Sequence, residues 1–257
     1  MKYFLYFLLF IITFTATLIK PLSVDDFQEK EYYKTTSKRI QDILPQLNET
    51  NNVKIGWHRI NFTPPVPTEF AGYSGRGKYT SVKDSVFANC LFVESDKGNY
   101  LILNFDLILI HQTFSSALEE ELLSDKELNI KGIYYTCSHS HSSYGGWAKG
   151  LLAKFALGGY QPEVVEFMIT QTKKMVTKAY QKRSTVEIGF TKTRLKDYVL
   201  NRVKRGNEVD DELRLLVFKN ARNEKAALIS FSAHPTIIPM KEKFLSGDFP
   251  TICSNNL

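Results

Sequence analysis

Two histidines separated by one residue stand out among the side chains that can do chemistry. His139 and His141 follow the β-branched and aromatic run from Ile133 to Cys137, and Gly145-Gly146 comes soon after them. This pattern predicts a buried strand that ends in a loop. Side chains at positions i and i+2 of a strand point to the same face, so both imidazoles are expected to face one point. The chain has 5 histidines in total, which makes this pair a concentrated signal.

Converging imidazoles fit a zinc ion, or one metal ligand beside one catalytic imidazole. His234 stands at the end of a further predicted strand, where Pro235 fixes the exit of the chain. If His139, His141 and His234 share one pocket, they predict a mononuclear hydrolase, because catalytic zinc usually takes three protein ligands and a water. Metal-bound water would then attack an amide or ester carbonyl, and an imidazole or arginine would stabilise the oxyanion. The residues alone do not separate the role of His139 from that of His141.

A serine nucleophile is a weaker interpretation of the same segment. Ser138, Ser140 and Ser142 alternate with the histidines, but the chain contains no Gly-x-Ser-x-Gly elbow.

A glycine-rich loop and one aspartate are further candidates for the site. Gly72, Gly75 and Gly77 predict a loop whose backbone can approach a ligand closely, with a flexible surface loop as the alternative. Within this loop Arg76 is the residue most able to bind an anion. Asp106 closes a predicted strand and is compatible with a place beside the site or with a simple turn.

The composition excludes several classes of protein. The chain has 257 residues, of which 43% are hydrophobic and 23% charged, enough for one domain with a real core. Its net charge of +6 is spread along the length without a basic block, which argues against nucleic-acid binding and allows a weak attraction to anionic membranes. The 3 cysteines are too few and too scattered for a disulfide framework.

The order of elements predicts an α/β fold, a layered domain with a mixed β-sheet flanked by helices, preceded by an N-terminal hydrophobic helix. On the helix expected at 111–124, Leu118, Leu122 and Leu123 should face inward. The remaining predicted elements are strands at 86–93, 100–105, 185–190, 213–218 and 226–231, and helices at 147–157 and 163–181.

The N-terminal residues predict a targeting segment. An uncharged run from Tyr3 to Ile19 follows Met1-Lys2, near the lower length limit of a spanning helix. Residues 1–20 are therefore expected to be a signal anchor or a signal peptide, with the anchor favoured and the bulk of the chain outside the cytoplasm. Residues 21–52 are expected to form a helical stalk, helical over 24–46, with a linker at 47–52. The domain proper is expected at 53–257.

Several motifs of this chain, the histidine segments among them, resemble those of the neutral/alkaline, non-lysosomal ceramidases. The segment Cys137-Ser138-His139-Ser140-His141-Ser142 is similar to the Thr-His-Thr-His-Ser-Gly run of that family, and Ser232-Ala233-His234-Pro235 to its Ala-Ile-His-Pro run. Other segments match in consistent order over about residues 53–250: Thr63-Pro64-Pro65 to Gly72-Tyr73, Asn201-Arg202, Asp210-Asp211-Glu212-Leu213 and Ser246-Gly247-Asp248.

The resemblance implies an amidase that splits the N-acyl bond of ceramide or a related lipid amide, with one Zn²⁺ per chain and metal-bound water as the nucleophile. Carried over by motif, His139 and His234 match the zinc histidines. His141 matches a histidine that contacts substrate, and it is also a candidate third ligand. The other site residues expected on this basis are Arg202 in catalysis, Gly72, Tyr73 and Arg76 in substrate binding, and Asp106 and Asp248 as carboxylates that support the ligands.

The partners expected on this basis are a ceramide-like lipid, and a membrane contacted through the N-terminal segment. In the family, a Glu and a Tyr complete the zinc site well downstream of the His-Pro segment, so the catalytic domain is expected to be C-terminally incomplete at Leu257. Two alternatives remain. One is a non-catalytic, membrane-tethered binding module that keeps the family fold. The other is a metal-dependent esterase or phosphatase that uses the same site, an alternative suggested by Asp106, Asp248 and Arg76.

Overall fold

A computed structural model describes residues 2–18, 27–43 and 53–256 of the chain. It forms two compact units, Met1–Glu49 and Thr50–Leu257. In the first unit, helix α1 covers Lys2–Leu18, a 3-10 turn covers Phe27–Glu29 and helix α2 covers Glu31–Ile43. The helix expected within 24–46 therefore corresponds to α2, whereas the linker expected at 47–52 lies outside the described residues.

Helix α1 occurs where an N-terminal hydrophobic helix is expected, but the expected transmembrane anchor finds no support. A spanning helix needs about 20 predominantly apolar residues, and α1 has 17. Over residues 2–18, 27–43 and 53–256, no helix combines the length and apolar character needed to cross a bilayer.

The second unit is built on a seven-stranded mixed sheet with the strand order β5-β4-β3-β1-β6-β7-β8. The β4–β5 pair is parallel, and the other neighbouring pairs are antiparallel. Two short strands, β2 and β9, form a separate parallel pair. The strands are β1 Lys54–Asn61, β2 Ser81–Val82, β3 Phe87–Ser95, β4 Gly98–Phe105, β5 Ile130–Cys137, β6 Ser184–Arg194, β7 Glu212–Asn220, β8 Lys225–Ser230 and β9 Phe244–Leu245.

Over residues 53–256, four α-helices accompany these strands, so the predicted α/β class with a mixed sheet flanked by helices is confirmed. They are α3 Gln112–Leu123, α4 Leu151–Ala156, α5 Pro162–Lys182 and α6 Asp248–Asn255. Helix α5 begins at a proline, which suits a first helical turn because that N–H has no partner in the helix. Its buried positions, among them Val165, Met168 and Met175, follow the helical period and belong to the same hydrophobic core as Phe92 and Leu103 of the sheet.

Three details differ from the prediction. In α3 the buried stripe is Phe114, Leu118 and Leu122 at intervals of four, and Leu123 is half exposed because one further residue turns the side chain about 100° around the helix. The helix expected at 147–157 is confined to α4, since Gly150 at φ +116° precedes it. Strand β5 is half-buried rather than buried, because it lies at the edge of the sheet.

Candidate metal centre

The site lies where β4 and β5 end side by side. These strands are parallel, with Phe105 opposite Cys137. The pairing continues into the loops, where the Ser138 amide donates to Phe105 O and the His139 amide donates to Leu107 O. The carboxyl ends of neighbouring parallel strands open to the same edge of a sheet, which is a common place for ligand sites.

His139 points into the site through a turn of the backbone. Strand β5 ends at Cys137, and His139 has φ +63°, in the left-handed region that non-glycine residues rarely adopt. The expectation that alternation along an extended strand aligns His139 with His141 is therefore wrong, although the two rings do meet. The Nδ1 atom of His139 donates to the carbonyl oxygen of Ile108 at 2.6 Å. Because a carbonyl only accepts, the proton is on Nδ1 and the lone pair of Nε2 is free.

His141 is held in the same way by the glycine-rich loop. Its Nδ1 donates to Gly72 O at 3.2 Å, so its Nε2 atom is an acceptor, and this atom faces Nε2 of His234 at 2.9 Å. Gly72 has φ +99°, and an added Cβ would lie 2.6 Å from Ile108 Cδ1 and 2.8 Å from His141 Nδ1. Only glycine fits this position, because both the backbone conformation and the space exclude a side chain. The next residue, Tyr73, places its ring centroid 5.0 Å from that of His141.

His234 completes a cluster of three imidazoles. The ring centroids are 5.1 Å apart for His139 and His141, 5.1 Å for His139 and His234, and 4.8 Å for His141 and His234. One ring nitrogen from each lies within 4.8 Å of the others, and the Nε2 atoms of His141 and His234 are 2.9 Å apart. Ligands on a tetrahedral zinc with ~2.1 Å bonds are ~3.4 Å apart. The three nitrogens therefore fit one zinc-sized ion after small shifts.

The electrostatics at His141 and His234 favour the neutral imidazole, the form that binds metal. Burial lowers the pKa of His141 below its ordinary value, and the neighbouring His234 and His139 lower it further. Burial is also the main cause that lowers the pKa of His234, followed by His139 and Arg202, while Asp248 acts in the opposite direction.

Arg202 lies within electrostatic reach of the cluster, since its charge contributes to the lowered pKa of both His141 and His234. It stands in the exposed loop between β6 and β7. In that loop the side chain of Asn201 accepts hydrogen bonds from the amides of Val203 at 3.1 Å and Lys204 at 3.0 Å. This Asx-type turn fixes the backbone that carries Arg202.

Arg76, expected in substrate binding, is buried beneath the site with 1% of its surface exposed. Its guanidinium donates to Glu242 O at 2.7 and 2.9 Å, to His141 O at 2.9 Å and to Ser142 Oγ at 3.2 Å, and it stacks on the Phe70 ring at 3.8 Å. Arg76 thus joins the loop of His141 to the chain segment that follows His234.

The two aspartates expected beside the ligands are buried, and each braces a nearby backbone segment. Asp106 accepts from the Phe87 amide at 3.0 Å and from the Thr251 hydroxyl at 2.6 Å, and burial raises its pKa. Asp248 accepts from the amide of Ile238 at 3.2 Å, so it supports the loop that follows His234. The structure therefore brings Asp248 to the site through the backbone of that loop.

Sequence reasoning missed the groups that orient the histidines. The acceptors at Ile108 and Gly72 are backbone carbonyls, which leave no mark in the sequence. The hydroxyl of Ser140 donates to Ser246 O at 3.2 Å, and the hydroxyl of Ser246 donates to Asp84 at 2.9 Å. Ser140 and Ser142 are fully buried, which accords with the weak case for a serine nucleophile. The one signal in the sequence was the density of serines around the histidines.

Comparison with known proteins places this site in a family. Residues 54–255 match the family model described as neutral/alkaline non-lysosomal ceramidase, N-terminal. Two curated relatives are the neutral ceramidases of Drosophila pseudoobscura pseudoobscura and Drosophila melanogaster, each 26% identical over 162 residues. Each match covers 58% of this chain and 22% of the relative, so the matched region spans about a fifth of the length of these proteins.

Solved structures give the same fold. A neutral ceramidase from Pseudomonas aeruginosa superposes with a TM-score of 0.68 at 18% identity, over 78% of this chain and 35% of that one. A ceramidase complexed with C2 superposes with a TM-score of 0.65 at 17% identity, over 76% of this chain and 33% of that one. At these identities the likeness is one of fold.

Proposed function

Because the chain belongs to the neutral/alkaline non-lysosomal ceramidase family, we propose that it is a zinc-dependent amidohydrolase acting on the N-acyl amide bond of ceramide or a related lipid amide. The observation that carries the proposal is the convergence of His139, His141 and His234 on one point, with their nitrogens within 4.8 Å. The Nδ1 atoms of His139 and His141 are tied to backbone carbonyls, so both Nε2 lone pairs are directed away from them.

Each residue has a definite task in this proposal. The three imidazoles would hold Zn²⁺, which when bound lowers the pKa of water to about 7 and polarises a carbonyl. Hydrogen bonds to Ile108 O and Gly72 O fix the tautomers of His139 and His141 and keep their rings oriented, as outer partners of metal ligands commonly do. Arg202 would stabilise the negative charge that develops on the carbonyl oxygen of the amide.

The direct test is metal content and hydrolysis in the full chain. We expect one zinc per chain, and we expect the His139→Ala/His234→Ala variant to lose it. His58→Ala is the matched control, because His58 lies on β1 and is not part of the cluster. Release of fatty acid from an N-acyl amide dispersed in detergent, abolished by a chelator and restored by zinc, would support the amidase. Folded wild-type protein that binds no metal would refute it.

The test also separates the two alternatives. A non-catalytic binding module would bind a lipid amide without releasing fatty acid. An esterase or phosphatase would hydrolyse an ester or a phosphomonoester faster than the amide. No contact favours this second activity, because Arg76, Asp106 and Asp248 are buried and hydrogen-bonded within the protein.

A further inference from the structure

Helix α4 presents large apolar side chains to solvent. Leu151, Leu152 and Phe155 are 74%, 84% and 64% exposed, whereas Ala153 between them is buried. Positions i, i+1 and i+4 lie on the same side of a helix, so the three side chains form one continuous apolar face. An exposed patch of this kind marks a surface that meets another apolar phase. We call these three residues the α4 face.

The charged residues of the segment that carries the α4 face are of one sign, although Glu69 lines a groove beside Phe155. Lys149 and Lys154 flank the α4 face, and no acidic residue occurs between Trp147 and Tyr160. The ammonium of Lys149 lies 4.7 Å from the centre of the Tyr160 ring, which leaves a positive charge beside the apolar surface. An apolar helical face with lysines and aromatic rings at its border is the pattern of a helix that lies in the interface of an anionic membrane.

A groove extends from Phe155 of the α4 face to the glycine-rich loop beside the histidine cluster. It has a volume of about 370 Å³, and its lining includes Phe155 and Lys154 of α4 together with Tyr73 and Arg76 of the glycine-rich loop. The ring of Tyr73 in turn lies beside His141, with the centroids 5.0 Å apart. An apolar chain leaving a lipid phase at Phe155 would therefore follow the groove as far as Tyr73, whose ring adjoins His141.

We propose that the α4 face docks the protein on a lipid surface that carries anionic headgroups, so that a lipid amide enters the groove directly from the bilayer. The proposal rests on the proposed function for the nature of the substrate, and on the α4 face and its lysines for the docking. The apolar face supplies non-polar burial and the lysines supply attraction to the headgroups, which falls off within a Debye length of about 8 Å at physiological salt.

The test must report on α4 itself, because α1 is rich in apolar residues and can bind lipid independently. Hydrogen exchange of the full chain is compared in buffer, with phosphatidylcholine vesicles, and with vesicles that also contain phosphatidylserine. We expect amide exchange over residues 151–156 to slow by about tenfold on the anionic vesicles, equivalent to ~1.4 kcal/mol of added protection. High salt should reverse much of this protection.

Matched variants assign the effect to the α4 face. Leu151→Ser/Leu152→Ser should lose the protection, whereas Ile188→Ser/Phe190→Ser should keep it, since Ile188 and Phe190 are exposed apolar residues on β6. Vesicle-bound protein with an unprotected α4 would overturn the proposal, as would equal protection on phosphatidylcholine alone. Protection that appears without vesicles and grows with protein concentration would assign the face to a second copy of the chain, and would also overturn it.

An activity measurement distinguishes failure of the docking from failure of the proposed function. With a water-soluble, short-acyl amide, Leu151→Ser/Leu152→Ser should hydrolyse at the wild-type rate, and with the same amide bond presented in anionic vesicles its rate should fall by about tenfold. Equal rates on vesicles would refute the docking and leave the amidase intact. Absence of hydrolysis by the wild type on both substrates would refute the amidase, while hydrogen exchange would still decide the docking.

Discussion

The guanidinium of Arg76 donates a 2.9 Å hydrogen bond to the carbonyl oxygen of His141. The same group donates twice to the carbonyl oxygen of Glu242, on the chain that follows His234. Two of the three histidines thus sit on backbone segments joined by one buried side chain. An arginine can do this because its planar fork presents five donors in fixed directions, whereas a lysine offers a single charged point.

Replacing Arg76 by lysine should therefore loosen the metal centre. We expect Arg76→Lys to weaken zinc affinity by about 10- to 100-fold, the usual cost of losing an outer partner of a metal ligand. Competition with a chelator of known affinity measures the effect. Arg59→Lys is the control. Arg59 is a partly buried arginine that stacks 3.7 Å from the Phe87 ring and donates to Ser254, so it makes the same kinds of contact elsewhere in the protein. Equal zinc affinities for the two variants would contradict a specific role of Arg76.

Gly72 gives a second prediction about the same loop. Gly72→Ala places a Cβ 2.8 Å from His141 Nδ1 in a backbone conformation that disfavours any side chain. We expect a loss of unfolding free energy of about 1–3 kcal/mol together with weaker zinc binding. Gly75→Ala measures the cost of the backbone conformation alone. Gly75 has φ +74°, and no atom lies within 4 Å of the position that its Cβ would take. Zinc affinity unchanged in both variants would show that the ring of His141 does not depend on Gly72.

The sequence was sufficient to select the residues of the histidine cluster but insufficient for its geometry. His139, His141 and His234 are rare side chains at strand ends, so they could be selected by type and spacing. The left-handed turn at His139 could not, because that backbone conformation is set by the pairing of the loop with Leu107. The burial of Arg76 could not be predicted for a similar reason, since residues from distant segments bury it.

The local features of the fold could likewise be predicted from the sequence, whereas its non-local features could not. The period of α5 and the two hairpins, β3–β4 and β7–β8, are local patterns, and the elements occur where these patterns predict them. The strand order is not local, because β1 lies between β3 and β6, which are far apart in the sequence. β5 is an edge strand, and therefore half-buried, because of the way strands that are distant in the sequence pair with one another.

The ion pairs of Glu94 allow a test of what stabilises the sheet that carries the site. Its carboxylate accepts from Lys54 Nζ at 2.8 Å and from Arg183, and these two bonds lower its pKa. A lowered folded-state pKa gives stability that is present above the unfolded value, about 4.3, and is lost as the pH falls through the folded value. We expect Glu94→Gln to lower the unfolding free energy at pH 7 by about 0.5–1 kcal/mol, with the difference vanishing in acid.

Denaturant titrations at several pH values measure this difference. Glu187→Gln is the control, because Glu187 pairs with Lys219 at 2.9 Å but its side chain is 79% exposed. Its effect should be smaller at every pH. A Glu94→Gln effect that persists undiminished at low pH would show that packing, and not the charge, is responsible.

The positive charge of Arg202 should influence the pH range over which the histidine cluster binds metal. Protons compete with metal for imidazole, and Arg202 lowers the pKa of both His141 and His234. Zinc affinity should therefore stay constant down to a pH below about 6.5, the ordinary value for histidine, and fall in more acidic solution. In Arg202→Gln both pKa values rise, so the fall in zinc affinity should begin at a higher pH.

At a pH of about 8, where the imidazoles are neutral in either protein, removal of a nearby cation should leave zinc affinity equal or higher. Arg205→Gln, in the same loop, should titrate as the wild type, and a similar shift in both variants would show that the net charge of the loop, not Arg202, sets the pH dependence.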